Sequence, residues 1–153
     1  MKRFKGGEVM SKELSKELLD AYRNAVYQIF KEKEKEIITL TVGSKSEELI
    51  RLIINQNVIS ATFITAFNPK SVILSEEENA SRNEELRKDI ANLKLQYFEG
   101  VGFDATNTDW LPEKHFLILG LDRDHSINLA KKYDQNAILY IENDGYVELL
   151  LTN

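Results

Sequence analysis

Ile59-Ser60-Ala61-Thr62-Phe63-Ile64-Thr65-Ala66-Phe67-Asn68-Pro69 is the stretch on which the fold turns. It is rich in β-formers and apolar on both alternating faces, which predicts a strand over 59–67 in the middle of a sheet, covered on both sides. Pro69 has no N–H to donate and disfavours helix in the residue before it, so Asn68 falls where the chain leaves the sheet. Turns at the ends of central strands commonly carry sites. Thr65 and Asn68 are therefore the first candidates.

Downstream, Ser75-Glu76-Glu77-Glu78 forms a capping box with acids well placed at a helix N-terminus. The helix runs to about Leu93 with Leu86, Ile90 and Leu93 inward. Steps of three and four residues carry that inward face back to Asn83 and Asn79. An asparagine on a buried first turn needs partners for its amide, and the nearest backbone is the Asn68-Pro69 turn. Tying the loop to the helix is the first reading, ligand binding the second.

A strand follows over 95–103. Gly100-Val101-Gly102 lacks the third glycine and the helix of a nucleotide fingerprint, and marks a bulge or a close backbone approach. The loop from Asp104 to Pro112 holds the only tryptophan, Trp110. Phe116 to Leu119 is a second strand apolar on both faces. Asp122 or Asp124 caps a helix carrying Ser126, Leu129, Ala130 and Tyr133. Two last strands, 137–141 and 146–151, flank the hairpin signal Asn143-Asp144-Gly145.

The order from Ile59 is βαββαβ plus one strand, which predicts an α+β fold: a ferredoxin-like plait with a C-terminal extra strand. Strands 59–67 and 116–120 are expected to be its parallel central pair. Asn68, Asn79, Gln135 and Asn136 then converge at one sheet edge with Thr65 just below, as a ligand-binding cluster or a self-satisfied network. Trp110 and Glu113 are expected at the opposite edge as a secondary loop site.

Upstream, Gly43 breaks a strand, and Ser44-Lys45-Ser46-Glu47 offers a capping box for a helix burying Leu49, Ile50, Leu52, Ile53 and Ile54. Asn57 suits a left-handed residue after that helix. Another helical pattern starts near Ser11 and carries Leu14, Leu18, Leu19 and Tyr22. Residues 25–30 fit either its continuation or a strand, with 37–42 as partner and the charged 31–36 as hairpin tip. Periodicity does not choose between them. Lys5-Gly6-Gly7-Glu8 back-translates to a purine-rich ribosome-binding sequence ahead of Met10. Residues 1–10 are thus expected to be a basic tail or a mis-annotated start, and 11–153 a single domain. Deleting 1–9 should leave the melting temperature unchanged.

The length of 153 residues, with 42% hydrophobic and 29% charged residues, suits one soluble domain with a real core. A net charge of -5 argues against a nucleic-acid or anionic-membrane partner. The absence of cysteine removes disulfides, thiolate metal sites and cysteine nucleophiles. No bilayer-length apolar run or signal-peptide core is present, so the expected compartment is the cytoplasm.

Phe63 to Pro69, Asn79, Trp110-Leu111-Pro112-Glu113 and Tyr133-Asp134-Gln135-Asn136-Ala137 resemble the motifs of a bacterial family, domain of unknown function 3293. Its pattern has an I-T-A-W-N-P-like segment, a downstream Asn, a W-x-P-E segment and a Q-N-A segment. The resemblance runs from about Tyr22 to the C-terminus. Phe67 stands in place of the usual Trp, and His115 where the pattern has Ser. The resemblance implies a strand hairpin over 25–42. It implies no activity.

The chemistry-bearing residues are few. Asp122, Asp124 and His125 mix metal-ligand types, yet at a helix start they read first as a cap and a solvated imidazole. Glu113 beside Trp110 can be a general acid or base in an apolar pocket, with His115 or Asp109 assisting, or a carboxylate pinning its loop. Neither a nucleophile elbow nor a phosphate loop is visible, and no cofactor or metal is implied. Two functions follow. One is a non-catalytic binding or regulatory domain whose amides take a small polar ligand or a peptide. The other is a small hydrolase- or transferase-type enzyme using Glu113. If Glu113 and the amides open into one cleft, the enzyme gains.

Overall fold

A computed structural model describes residues 14–31, 36–104 and 111–152. The described part is α+β. Its elements in chain order are α1 (Lys16–Asn24), β1 (Val26–Lys31), β2 (Glu36–Leu40), α2 (Glu47–Asn55), β3 (Ser60–Ile64), α3 (Glu76–Asn92), β4 (Tyr97–Phe103), β5 (Glu113–Leu119), α4 (Arg123–Lys132), β6 (Ala137–Glu142) and β7 (Val147–Leu151). The strands form one sheet in the order β2-β1-β4-β5-β3-β6-β7. Every neighbouring pair is antiparallel.

The ambiguity over 25–42 resolves as strands. Tyr27 pairs with Leu40 and Lys31 with Glu36, so the helix stops at Asn24 and does not run on. Its cap is Ser15, whose hydroxyl accepts from the Leu18 N–H, and the expected start at Ser11 lies outside the described residues, as do 1–10. The helix before β3 is capped by Ser46, not Ser44. Leu49, Leu52 and Ile53 are buried there, whereas Ile54 is 59% exposed, because three consecutive residues cannot share one helical face. Ser75 and Asp122 cap α3 and α4 as expected.

The strand expected over 59–67 is shorter. Ile59 is 75% exposed and pairing ends at Ile64, because Thr65 turns its hydroxyl onto the Lys114 carbonyl and the chain departs. All five β3 residues are buried, since both sheet faces are covered. On one face Phe63, Leu117, Leu139 and Ile29 pack with Leu49 and Ile53 of α2. On the other, Ile64, Phe116, Ile118 and Ile138 pack with Leu86 and Ile90 of α3 and Ala130 of α4.

The expected parallel central pair is corrected. Ile64 faces Phe116 and Ala61 faces Leu119 in an antiparallel ladder. A crossover through α3 brings β4 back along β3's direction, and β5 then returns antiparallel to β4, hence antiparallel to β3 as well. This reversal moves one end of β5. The end of β3 and the starts of β5, β6 and β1 now share one edge, the head of the sheet.

Candidate functional site

At the head of the sheet the chain folds back through a loop that is strained at three positions. Asn68, Lys70 and Ser71 have φ of 47°, 55° and 61°. Left-handed backbone costs of order 1–3 kcal/mol per non-glycine residue and persists only where the surroundings fix it. Pro69 opens a 3-10 turn here and supplies no N–H. The surroundings are the expected amides. Asn79 Oδ1 accepts from the Asn68 N–H at 2.8 Å, and Asn79 Nδ2 donates to Asn68 Oδ1 at 2.9 Å. Asn68 Oδ1 also accepts from the Leu74 N–H at 3.0 Å. One turn further along α3, Asn83 Oδ1 accepts from the Ala66 N–H at 2.8 Å and its Nδ2 donates to the Lys114 carbonyl at 3.1 Å.

The far side of the loop is held from α4's end. Gln135 Nε2 donates to the Phe67 carbonyl at 3.0 Å, and Asn136 Nδ2 donates to Ser71 Oγ at 3.1 Å. Neither reaches Asn68 itself, though both bind its neighbours. Arg82 is a residue that sequence reasoning missed. Its Nε donates to the Ala66 carbonyl at 2.8 Å and its Nη2 to the Tyr133 carbonyl at 2.6 Å, bridging both sides of the loop. Most of this amide capacity is thus spent on backbone, as a network that locks the loop.

Glu113 corrects the second expectation. It is 8% exposed and lies at the same edge as the amides, not the opposite one: Asn68 Nδ2 donates to Glu113 Oε1 at 3.0 Å. Because β5 runs against β3, its first residue meets the loop that β3 ends in. Trp110 and Asp109 lie outside the described residues. His115, two residues along the same face, is also 8% exposed. Its ring stacks on Phe63 with centroids 4.6 Å apart and planes 10° apart, and stands edge-on to Tyr27 at 5.9 Å. Its Nδ1 lies 2.9 Å from the Glu113 carbonyl, which only accepts, so Nδ1 carries the proton.

Gly100 and Gly102 explain how these rings fit. The β4 ladders to β1 and β5 run without a bulge. A Cβ on Gly100 would stand 2.5 Å from the Gln28 carbonyl oxygen and 2.6 Å from Phe63 Cε1, and one on Gly102 would stand 2.9 Å from His115 Cε1. The two bare positions clear one sheet face for the rings of Phe63, His115 and Tyr27. Above them a pocket of about 30 Å³ opens, lined by Tyr22, Tyr27, Phe63, Thr65, Glu113 and His115 among others. Asn68 and Gln135 contribute to the same wall. Glu113 therefore opens into one space with Asn68 and Gln135, whereas Asn79, Asn83 and Asn136 do not line it. That volume admits a water-sized group.

Residues 64–138 match the family model described as Protein of unknown function (DUF3293). That segment, just under half of the chain, is similar to the DUF3293 family. The matched segment includes Thr65, Asn68, Asn79, Glu113, His115, Gln135 and Asn136, while Tyr22 and Tyr27 precede it. No curated protein matches the chain, and no solved structure does.

At the start of α4 the Asp122 carboxylate accepts from the His125 N–H at 2.8 Å and lies against its Nδ1. That contact holds the Asp122 carboxyl below its usual range. Both side chains are solvated, and the arrangement is a cap. No helix among the described residues is long and apolar enough to cross a membrane.

Proposed function

We propose that the head of the sheet is a binding site for a small polar ligand or a peptide end, with Glu113 as its anchor and the amide network as its frame. One observation carries this. A carboxylate that is nearly buried is held by a neutral amide, Asn68, on the wall of a pocket lined by aromatic rings. Burying a carboxylate is costly, and the hydrogen bond from the Asn68 amide fixes its direction. A strained loop over-determined by five side chains keeps that geometry before any ligand arrives. Pre-formed recognition needs this, and it supports a binding or regulatory module. The acidic balance of the chain favours neither nucleic acid nor an anionic membrane as partner. For the scaffold we propose a ferredoxin-like plait over β3-α3-β4-β5-α4-β6. Support comes from the spatial order β4-β5-β3-β6.

A second reading, a small hydrolase- or transferase-type enzyme, is favoured by Glu113 and His115 sharing the pocket. An imidazole with its Nδ1 proton held by a carbonyl and a carboxyl nearby is a general acid–base pair in kind. The test is a thermal-shift screen of small metabolites and short peptides on the wild type, Glu113→Gln and His115→Gln. A ligand that stabilises the wild type and His115→Gln, but not Glu113→Gln, supports the binding module. Hits that are consumed by the wild type and bound without turnover by His115→Gln support the enzyme. A screen in which no compound distinguishes Glu113→Gln from the wild type overturns both.

A further inference from the structure

We propose that the sheet face turned away from the head pocket carries a second binding site, for a dipeptide with apolar side chains and both ends free. Side chains alternate along β5, so Lys114 and Phe116 point to the face opposite Glu113 and His115. Helices α3 and α4 cover part of that face, over Ile64, Phe116, Ile118 and Ile138. Beside them, over β1 and β4, it stays open as a groove of about 600 Å³ along the flank of α3. Small-molecule sites occupy roughly 300–1,000 Å³, on mostly apolar walls with a few placed polar groups. The floor fits that description, since half-buried Phe30 and Val101 lie beside Phe116. On the wall the Arg87 guanidinium donates to both Glu84 oxygens at 2.6 and 2.9 Å, so these two charges answer each other. Glu76 sits in the first turn of α3, where the helix end favours a carboxylate.

Glu99 and Lys114 differ from these. Both are exposed, and neither side chain has an ion-pair or hydrogen-bond partner among the described residues. Glu99 pairs with Phe116 and Val101 with Lys114, which makes Glu99 and Lys114 diagonal neighbours on one face. Such positions stand about 7–8 Å apart. A dipeptide spans at most about 7 Å from end to end. Its ammonium therefore meets Glu99 while its carboxylate meets Lys114, and its side chains rest on the apolar floor. A free amino acid is too short for that spacing, and a longer peptide carries its end charges past it. The site does not depend on the head pocket, and either can fail without the other.

The experiment titrates the full chain at neutral pH with leucyl-phenylalanine, its N-acetyl form, its C-terminal amide and free phenylalanine. Backbone NMR signals of Val101 and Phe116 report the groove, and ring signals of Tyr27 and Phe63 report the head pocket separately. The expected result is a saturable shift of the groove signals with the dipeptide, whether or not the head signals move. Exposed charge pairs attract modestly, so each capped form should bind about fivefold more weakly. Glu99→Lys and Lys114→Glu should each weaken the dipeptide by at least that factor, and the double exchange should restore it in the reversed direction. Both residues are exposed, so these variants keep the fold. If the capped forms or free phenylalanine bind as tightly as the dipeptide, the inference falls. It falls too if the double exchange fails to restore binding, or if no probe shifts the groove signals.

Discussion

A φ of 47° at Asn68 is a conformation that asparagine tolerates better than most residues with a Cβ. Its side chain also accepts from Leu74 and Asn79 and donates to Glu113. Asn68→Ala keeps the backbone strain and strands those partners. Each buried group left unmatched costs about 1–3 kcal/mol, so urea unfolding should show a loss of about 3 kcal/mol. Asn68→Gly loses the same bonds but relieves the strain, and should cost measurably less. Because Asn68 and Asn79 bond each other twice, their alanine variants should be strongly non-additive, with a coupling of about 0.5–3 kcal/mol in a double-mutant cycle. Gln135→Ala should lower stability too, since it frees the Phe67 carbonyl. Simple additivity of Asn68→Ala and Asn79→Ala would mean that the loop is held in some other way.

Strand β4 shows at the level of an element what glycine spacing encodes. Gly100→Ala should destabilise by about 3 kcal/mol or more, because its Cβ meets a carbonyl oxygen and the rigid Phe63 ring. Gly43→Ala has open space around it and a φ of 85°, so its cost should stay near 1–2 kcal/mol, from backbone conformation alone. Equal costs in chemical denaturation would undo the claim that β4's glycines clear room for rings. Helices α3 and α4 offer a pH test. The Lys132 ammonium and then the Tyr133 hydroxyl bond Asp89, at 2.7 and 2.5 Å, and hold its carboxyl below its ordinary value of 3.8. A carboxyl lowered on folding contributes stability above its unfolded pKa, and the contribution is lost as pH falls through the folded value. Asp89→Asn should therefore be less stable than the wild type at neutral pH. The gap should shrink below about pH 4, as urea midpoints across the acid range would show.

Much of this was legible from residues alone, and for local reasons. Capping by Ser75 and Asp122, the inward asparagines of α3 and the Asn143-Asp144-Gly145 hairpin depend on neighbours three or four residues away. The two glycines at alternate positions were legible as a bulge or a close backbone approach, and the unbroken ladders leave the second. What approaches them was not visible, because Tyr27, Phe63 and His115 come from three distant strands. The direction of β5 relative to β3 was not legible either. Both strands are buried on both faces and read alike whichever way they run. That one non-local choice carried Glu113 from one end of the sheet to the other. Arg82 stayed hidden for a similar reason, since a charged residue on a helix normally reads as solvated surface.

Over the whole molecule, β1 lies between β2, its immediate successor in the chain, and β4, whose Phe103 it meets through Val26. During synthesis at about 5–20 residues per second, the N-terminal hairpin leaves the ribosome several seconds before its second neighbour exists. A lone two-stranded hairpin is marginal in water, and the side of β1 that awaits β4 is an unpaired edge. Maturation is therefore expected to be last-in, first-needed. The β3–β7 part, with its own crossover helices, can gather before the hairpin docks, and long-range pairing of this kind slows the final step. Gln28→Pro, in the strand bonded on both sides, should stall the chain with that edge open and lead to aggregates, whereas Thr39→Pro on the outermost strand should be tolerated better. The order in which the strands are made thus opposes the order in which they are used, and the chain is most vulnerable while its first strand waits for its fourth.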